Sequence, residues 1–193
     1  PANDRPSLDS CSTNNVHPLP TLSCLPCPKN ASLTSSTRKY VFVGLFMIRN
    51  GSFVNFVCFR EATEGLYTGV ETQLNEDTAI AIRKISRKGC ARFMDSALDW
   101  AKKYELNKVV AITKRNILKK TDGLFFEEVE KSVKSFPNME LQEIYIDNMA
   151  QQLVINPEQF NNSVLVSTNL FMDIISELAS GIVGSIGLIY SSN

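Results

Sequence analysis

An arginine and a tyrosine seven residues apart, Arg60 and Tyr67, follow an apolar run in Phe-Arg-Glu-Ala-Thr-Glu-Gly-Leu-Tyr-Thr-Gly-Val-Glu, residues 59–71. An arginine guanidinium can hold a carboxylate through two parallel hydrogen bonds, and a tyrosine phenol can pass a proton. The pair therefore indicates a site that binds a carboxylic acid and transfers a proton. By itself, such a pair is a weak signal.

Lys114 and Asn116 stand just past the apolar segment 108–113, which is predicted to be a buried strand. Ligands of open α/β sheets bind beyond the carboxyl ends of the strands, so both side chains are well placed for binding. A solvated surface lysine is the ordinary alternative.

Three carboxylates are candidates for a metal site. Asp147 follows the predicted strand 143–146, and Asp173 and Glu177 are four residues apart, which places both on one face of a helix. Oxygen ligands suit Mg²⁺ or Mn²⁺, whereas a solvated helix face is the ordinary alternative. The sequence neighbours of Asp173 are apolar, which is an unfavourable setting for an unpaired charge.

The elements that must position these residues alternate between strands and helices, a pattern typical of an α/β fold with substantial parallel pairing. Asn-Gly at 50–51 indicates a hairpin turn, and Ser86 is a suitable N-cap. The predicted strands are 41–48, 53–59, 79–85, 108–113, 143–146 and 164–168, and the predicted helices are 87–104, 124–135, 148–154 and 170–179.

Composition excludes several classes of function. Twenty basic and twenty acidic residues among 193 give no net charge, so neither nucleic acid nor an anionic membrane is an expected partner. The longest apolar run has eight residues, 41–48, which is too short to span a bilayer. An odd number of cysteines and no visible secretory signal favour an intracellular location, cytoplasmic or mitochondrial.

The strings around the candidate residues resemble the metal-dependent decarboxylating dehydrogenases, the family of isocitrate, homoisocitrate and isopropylmalate dehydrogenases. Thr-Lys-Arg-Asn-Ile at 113–117, followed by Thr-Asp-Gly-Leu-Phe at 121–125, is similar to that family's His-Lys-Ala-Asn-Ile segment. Asn-Leu-Phe-Met-Asp-Ile-Ile-Ser-Glu at 169–177 is similar to its Asn-Leu-Phe-Gly-Asp-Ile-Leu-Ser-Asp motif. The similarity is continuous from about residue 56 to residue 193.

The resemblance implies an isopropylmalate-dehydrogenase-like α/β fold, a mixed sheet flanked by helices, here expected to be incomplete at both ends. It implies oxidative decarboxylation of a 2-hydroxy acid with NAD⁺ or NADP⁺ and Mg²⁺ or Mn²⁺. Isocitrate is the favoured substrate and the motifs are closest to NAD-type isocitrate dehydrogenase, because isopropylmalate enzymes tend to carry a glycine where Glu64 stands. Homoisocitrate and isopropylmalate dehydrogenase are the alternatives.

The resemblance also assigns roles to individual residues. The family's lysine and one aspartate reach the site from the neighbouring subunit, so a homodimer, or a hetero-oligomer with a homologous subunit, is the expected assembly. The implied roles are catalysis for Tyr67 and Lys114, substrate binding for Arg60 and for Arg5 in Ala-Asn-Asp-Arg-Pro-Ser, cofactor binding for Asn116, and metal binding for Asp147, Asp173 and Glu177.

Several positions depart from the family pattern and favour a second reading, a catalytically impaired or regulatory subunit or a truncated remnant. Methionine in place of a glycine at position 172 is expected to crowd the metal site. The departures are Thr113 for histidine, Arg115 for a small residue, Met172 for glycine, Glu177 for aspartate and Tyr190 for proline.

Three segments are expected along the chain: a fragment of a substrate-binding element at 1–10, an irregular insertion or disordered segment at 11–50, and the dehydrogenase-like domain at 51–193. Residues 11–50 contain three cysteines and a histidine that could bind zinc, with disordered free thiols as the alternative. These candidate zinc ligands are Cys11, His17, Cys24 and Cys27.

Overall fold

A computed structural model describes residues 40–49, 52–183 and 189–192, with side chains described for 54–182. The strands are β1 (Tyr40–Arg49), β2 (Ser52–Glu61), β3 (Glu71–Asn75), β4 (Thr78–Ala81), β5 (Lys108–Thr113), β6 (Glu140–Tyr145), β7 (Ser163–Ser167) and β8 (Ile189–Ser192). The α-helices are α1 (Arg87–Lys103), α2 (Thr121–Val133), α3 (Ile146–Ile155) and α4 (Asn169–Val183), and short 3₁₀ helices span Leu66–Thr68 and Pro157–Phe160. Arg5, Cys11, His17, Cys24 and Cys27 lie outside the described residues.

Six strands form one mixed sheet in the order β6-β5-β7-β2-β1-β8. The four strands β6, β5, β7 and β2 pair parallel with one another, whereas β1 pairs antiparallel with both β2 and β8. The register pairs Arg49 with Ser52, so the predicted β1–β2 hairpin is confirmed. The predicted α/β class, with a mixed sheet flanked by helices, is confirmed as well.

Helices cover both faces of the sheet, and successive residues of each central strand point to opposite faces. In β7, Val164 and Val166 pack with α1 and α2, whereas Leu165 packs with α3 and α4. The central strands β5 and β7 are buried on both sides, which explains why they read as continuous apolar runs in the sequence.

Helix α1 begins where its predicted cap stands. The Ser86 side chain accepts a hydrogen bond of 3.1 Å from the Gly89 N–H, and so satisfies one of the N–H groups that a helix start leaves unpaired. The apolar face of α1 packs on the sheet and on α2, where Phe93 lies 6.3 Å from Phe125 between ring centroids. None of the helices in the described part of the chain has the length and apolar character needed to cross a bilayer.

The predicted strand 79–85 is largely wrong. Only its first residues belong to a strand, β4, which pairs with the unpredicted β3 in a separate two-stranded hairpin. Every residue of β3 and β4 is exposed, so burial imposes no alternating pattern on this hairpin. Ile80 and Ile82, which lie within the predicted strand, are 42% and 50% exposed. Other boundaries shift as well: α2 begins at Thr121, β6 begins at Glu140, Ile146 opens α3, and α4 continues to Val183.

Two free thiols lie in the core of this fold. Burial raises the pKa of Cys58 and of Cys90 to about 12 in each case. A raised thiol pKa disfavours the thiolate, the form that reacts with electrophiles.

We expect both thiols to resist iodoacetamide in the native protein at pH 8, where a pKa near 12 leaves about one thiolate in ten thousand. Peptide mass spectrometry after timed labelling measures this, and the same reaction in urea is the control, in which Cys58 and Cys90 should label fully. Rapid native labelling of either cysteine would contradict the described packing.

Candidate functional site

The carboxyl ends of the parallel strands bring the predicted site residues to one edge of the sheet. Arg60 is the last residue but one of β2, and Lys114 directly follows β5. Asp147 lies in the first turn of α3, after β6, and Asn169 opens α4, directly after Thr168 and β7. Crevices outside this edge are the usual ligand sites of open α/β sheets.

Arg60, Tyr67 and Asp173 form a single cluster at this edge. The Arg60 guanidinium makes an ion pair with one oxygen of Asp173, and the Tyr67 hydroxyl donates a hydrogen bond to the other. Arg60 Nε donates to Asn169 Oδ1 at 2.8 Å, and its guanidinium carbon lies 5.0 Å from the centroid of the Tyr67 ring. The cluster thus joins a carboxylate-binding cation to a phenol donor, and Tyr67, at 54% exposure, opens it to solvent.

The charge state of Tyr67 follows from these contacts. Its hydrogen bond to the Asp173 carboxylate raises the pKa of the Tyr67 phenol above its ordinary value, and the Arg60 cation opposes the shift less strongly. The phenol therefore stays protonated at neutral pH and can serve as a proton donor.

The loop that carries Tyr67 is held by two carboxylates. The buried Glu61 side chain accepts hydrogen bonds of 3.0 Å from the backbone N–H groups of Thr63 and Glu64. The Glu64 carboxylate accepts from the backbone N–H of Ser86 at 2.6 Å and from the Ser86 hydroxyl at 2.7 Å. These contacts tie the loop to the first turn of α1, so Glu64 anchors the loop.

Gly65 has a backbone conformation that requires glycine. Its φ of 93° with ψ of −150° lies in a region that residues with a Cβ atom rarely enter. The Gly65 N–H donates to Lys84 O at 2.8 Å, and the side-chain Nδ2 of Asn169 donates to Glu64 O at 3.1 Å. The glycine in Thr-Glu-Gly-Leu-Tyr therefore makes the turn that brings Tyr67 to Asp173.

A second cluster contains Lys114 and Asp147. Lys114 Nζ lies 2.7 Å from Asp147 Oδ1, and this ammonium holds the pKa of the Asp147 carboxyl below its ordinary value. Asn116 is exposed on the turn that follows Lys114. Within the described residues, no hydrogen bond or ion pair joins Lys114 or Asp147 directly to the cluster around Arg60.

The carboxylates predicted to bind a metal do not meet within one chain. Asp173 and Glu177 share α4, where Glu177 is exposed, whereas Asp147 lies with Lys114 on the far side of β5. Among the described residues, no group of three or more His, Cys, Asp or Glu side chains could hold a metal ion. Asp173 and Glu177 carry oxygen donors of the kind that suits a hard divalent cation.

The expectation that Met172 crowds this site is wrong. Its side chain is fully buried in the core between α4 and the sheet, whereas the neighbouring Asp173 lies at the sheet edge. Successive helix residues are about 100° apart around the axis, so the two side chains take different faces. A methionine at this position fills the core and leaves the site open.

Thr113 and Arg115, two other positions that depart from the family pattern, bind the same carboxylate. Thr113, buried at the end of β5, donates to Glu143 Oε1 at 2.7 Å. Arg115 makes a two-pronged contact with the same carboxylate, at 2.9 Å and 2.5 Å, which raises the Arg115 pKa. Thr113, which stands where the family pattern has histidine, thus hydrogen-bonds to a local ion pair beside Lys114.

Sequence reasoning missed a buried ion pair behind the site, between Arg83 and Asp122 at 2.6 Å. Asp122 has no exposed surface. It lies in the Thr-Asp-Gly-Leu-Phe segment, which resembles the family sequence but for which the resemblance implied no role of the aspartate. A charged residue at the start of an apolar helix was the available signal. Nothing in the local pattern marked Arg83, which lay inside the wrongly predicted strand.

Comparison with known proteins places these motifs in a family. Residues 43–193 match the family model described as isocitrate/isopropylmalate dehydrogenase. The chain is 43% identical over 144 residues to the homoisocitrate dehydrogenase of Methanocaldococcus jannaschii, covering 75% of this chain and 40% of that protein. It is 41% identical over 140 residues to the 3-isopropylmalate dehydrogenase of Methanothermobacter thermautotrophicus, covering 72% and 42%.

The fold is also similar to the crystal structure of isocitrate dehydrogenase from Methylococcus capsulatus. The TM-score is 0.74 at 37% identity, and the match covers 80% of this chain and 47% of that one. The chain therefore spans less than half the length of these relatives.

We expect Gly65→Ala to lower the free energy of unfolding by about 1–3 kcal/mol, because alanine is strained at this φ and ψ. The matched control is Gly123→Ala, in α2, where an added Cβ meets no atom within 4 Å. That change should be neutral or stabilising by up to about 1 kcal/mol. Urea unfolding of both variants measures the difference, and equal effects would contradict the turn geometry.

Proposed function

Because the chain belongs to the isocitrate/isopropylmalate dehydrogenase family, we propose that its protein oxidatively decarboxylates a 2-hydroxy acid, with isocitrate as the preferred substrate. The observation that carries the proposal is the cluster of Arg60, Tyr67 and Asp173. It brings together a carboxylate-binding cation, a protonated phenol and a carboxylate of the kind that binds metal ions, at the edge of the sheet where ligands usually bind.

Arg60 is the substrate-binding group within the described residues. Its guanidinium already holds a carboxylate, that of Asp173, so it has the geometry to hold a substrate carboxylate instead. Asn169 fixes the guanidinium through Nε and leaves the outer nitrogens for this exchange. Arg5 is proposed as a second carboxylate ligand on its motif alone.

Lys114 and Tyr67 divide the proton transfers. Lys114 accepts the proton of the substrate hydroxyl as the hydride leaves the same carbon, and for this step it must be a neutral amine, so its ion pair with Asp147 has to be broken first. After the β-carboxylate has left as CO₂, Tyr67 donates the proton that completes the product, a role open to a phenol, whose ordinary pKa leaves it protonated at neutral pH.

Two groups that the family implies would be held by residues of this edge. Asn116 would contact NAD⁺ or NADP⁺, which would supply the hydride acceptor. Asp173 and Glu177, with Asp147 of a second subunit, would hold Mg²⁺ or Mn²⁺, which would supply positive charge beside the negative charge that develops on the substrate.

We infer that a complete site needs two subunits. The Lys114–Asp147 pair has no direct polar contact with the Arg60 cluster in the described part of the chain, and Asp173 and Glu177 lack a third carboxylate. A homodimer, or a hetero-oligomer with a homologous subunit, supplies the missing groups if Lys114 and Asp147 enter the neighbour's site.

The preference for isocitrate is supported by motif alone. Glu64 stands where isopropylmalate dehydrogenases tend to carry glycine, and here it anchors the loop to Ser86. Homoisocitrate and 3-isopropylmalate are the alternatives. Two relatives with nearly equal sequence identity to this chain are named homoisocitrate dehydrogenase and 3-isopropylmalate dehydrogenase.

A catalytically impaired or regulatory subunit is the second candidate function. The observation that favours it is the ion pair of Arg115 with Glu143, which also engages Thr113, next to the proposed proton acceptor. Glu177, which stands where the family has aspartate, also favours an impaired site, because the longer glutamate side chain would place its carboxylate differently at the metal.

The first test is an assay of the native full-length protein with NAD⁺ or NADP⁺, Mn²⁺ and each of the three acids. We expect reduced cofactor and CO₂ in equal amounts, the highest kcat/KM with isocitrate, and no turnover once EDTA has removed the metal. Absence of turnover with every acid, together with binding to a homologous subunit, would identify the regulatory alternative.

The second test asks whether the site is shared. Tyr67→Phe and Lys114→Met subunits should each be nearly inactive alone. When the two are refolded together, half of the random dimers are mixed, and each mixed dimer holds one intact site out of two. The mixture should therefore recover about a quarter of wild-type activity. Activity measured against mixing ratio checks this, and native mass spectrometry of the mixture, with one variant carrying a mass tag, measures the fraction of mixed dimers. No recovery despite exchange would place Lys114 and Tyr67 in the same subunit's site.

A further inference from the structure

A buried ion pair, Arg83 with Asp122, lies between the two clusters of the site and has no role in the chemistry just proposed. Arg83 Nη1 lies 2.6 Å from Asp122 Oδ1, with side-chain exposures of 13% and 1%. A buried charge pair is held in one geometry because leaving either charge unpaired in the interior is unfavourable. The pair is therefore a stiff element of the fold.

The Asp122 carboxylate reaches the backbone of Lys114. Its second oxygen accepts a hydrogen bond of 2.6 Å from the Lys114 N–H. This bond spans the turn between β5 and α2, so Asp122 sets where the Lys114 side chain leaves the backbone. The Asp122 N–H in turn donates to Leu118 O at 3.0 Å, which closes the same turn from its other end.

Arg83 reaches the other side of the site. Its Nη2 donates to Thr168 Oγ1 at 2.8 Å, and its guanidinium carbon lies 5.2 Å from the centroid of the Phe171 ring. Thr168 precedes Asn169, which binds Arg60, and Phe171 lies on the helix that carries Asp173. Arg83 thus contacts the start of the element that positions the substrate-binding cluster.

We propose that Arg83 and Asp122 are positioning residues that hold the Lys114 turn at a defined place relative to the helix bearing Asp173. The proposal rests on the proposed function, in which Lys114 accepts the proton. A displacement of a reacting group by about 1 Å can reduce the rate about a hundredfold, so rigid support behind the lysine matters for turnover. The pair itself contacts neither substrate nor cofactor.

The test compares two double variants that leave no buried cation unpaired. Arg83→Met with Asp122→Ala removes the acceptor of the Lys114 N–H, whereas Arg83→Met with Asp122→Asn retains an oxygen that can accept it. The control is Arg87→Met, which also removes an arginine that bridges to α2, through Glu127 and Glu128, but does not contact the Lys114 turn.

Two measurements are made on the full-length protein after circular dichroism has confirmed folding. Hydrogen exchange of the Lys114 amide is followed by NMR on ¹⁵N-lysine protein, with the signal assigned by its loss in Lys114→Arg. Steady-state kinetics give kcat and KM for the acid that the assay identifies.

We expect the alanine double variant to exchange the Lys114 amide about tenfold faster or more, since a buried N–H loses its only described partner. Its kcat should fall at least about tenfold while KM stays within about threefold, because Arg60 is untouched. The asparagine double variant should keep slow exchange, but its kcat should recover only in part, because the hydrogen bond of Arg83 to Thr168 is lost in both double variants. Arg87→Met should match wild type in both measurements.

Slow exchange or an unchanged kcat in the alanine double variant would overturn the positioning role, as would an equal loss in Arg87→Met. If the wild-type protein turns over no acid, the proposed function fails on that result. The exchange of the Lys114 amide then decides by itself whether Asp122 holds the turn.

Discussion

The parallel pairing of β2, β7, β5 and β6 is the constraint on which the site depends. Parallel strands end at the same edge of a sheet, so residues distant in sequence meet there without any local signal. The register pairs Arg60 with Ser167 across β2 and β7, and Thr113 with Tyr145 across β5 and β6. Every proposed catalytic or metal-binding residue that the structure describes belongs to a strand end or to the turn or helix that follows one.

Charge complementarity refines what the sheet brings together. Asp173 engages both Arg60 and Tyr67, Lys114 engages Asp147, and Arg83 engages Asp122, so each charged side chain of these three ion pairs has a partner of opposite charge. These pairs form without ligand, so under the proposed function a substrate carboxylate or a cation would have to replace one member of a pair. Substrate binding would then be an exchange of partners within a preformed network.

Sequence patterns predicted the buried part of this fold well and the exposed part poorly. β5, β7 and α1 were predicted within a residue or two, because continuous burial or one buried helix face leaves a periodic pattern. The β3–β4 hairpin is exposed throughout and leaves none. The roles of Arg60 and Tyr67 came from family resemblance, and no spacing rule could show that Asp173, more than 100 residues away, contacts both. The Arg83–Asp122 pair stayed hidden because single-sequence patterns do not reveal which charges are buried together.

The order in which the strands pair has a consequence for synthesis in the cell. β1 and β2 form a local hairpin, but the other edge of β2 pairs with β7, whose residues follow more than 100 positions later. At usual elongation rates the ribosome needs about 5–20 s to make that segment. During that interval the free edge of β2 can pair with other chains, as exposed edges do, and non-local pairing of this kind is slow to form. The edge of β2 that faces β7 therefore stays open to mispairing until β7 has been made.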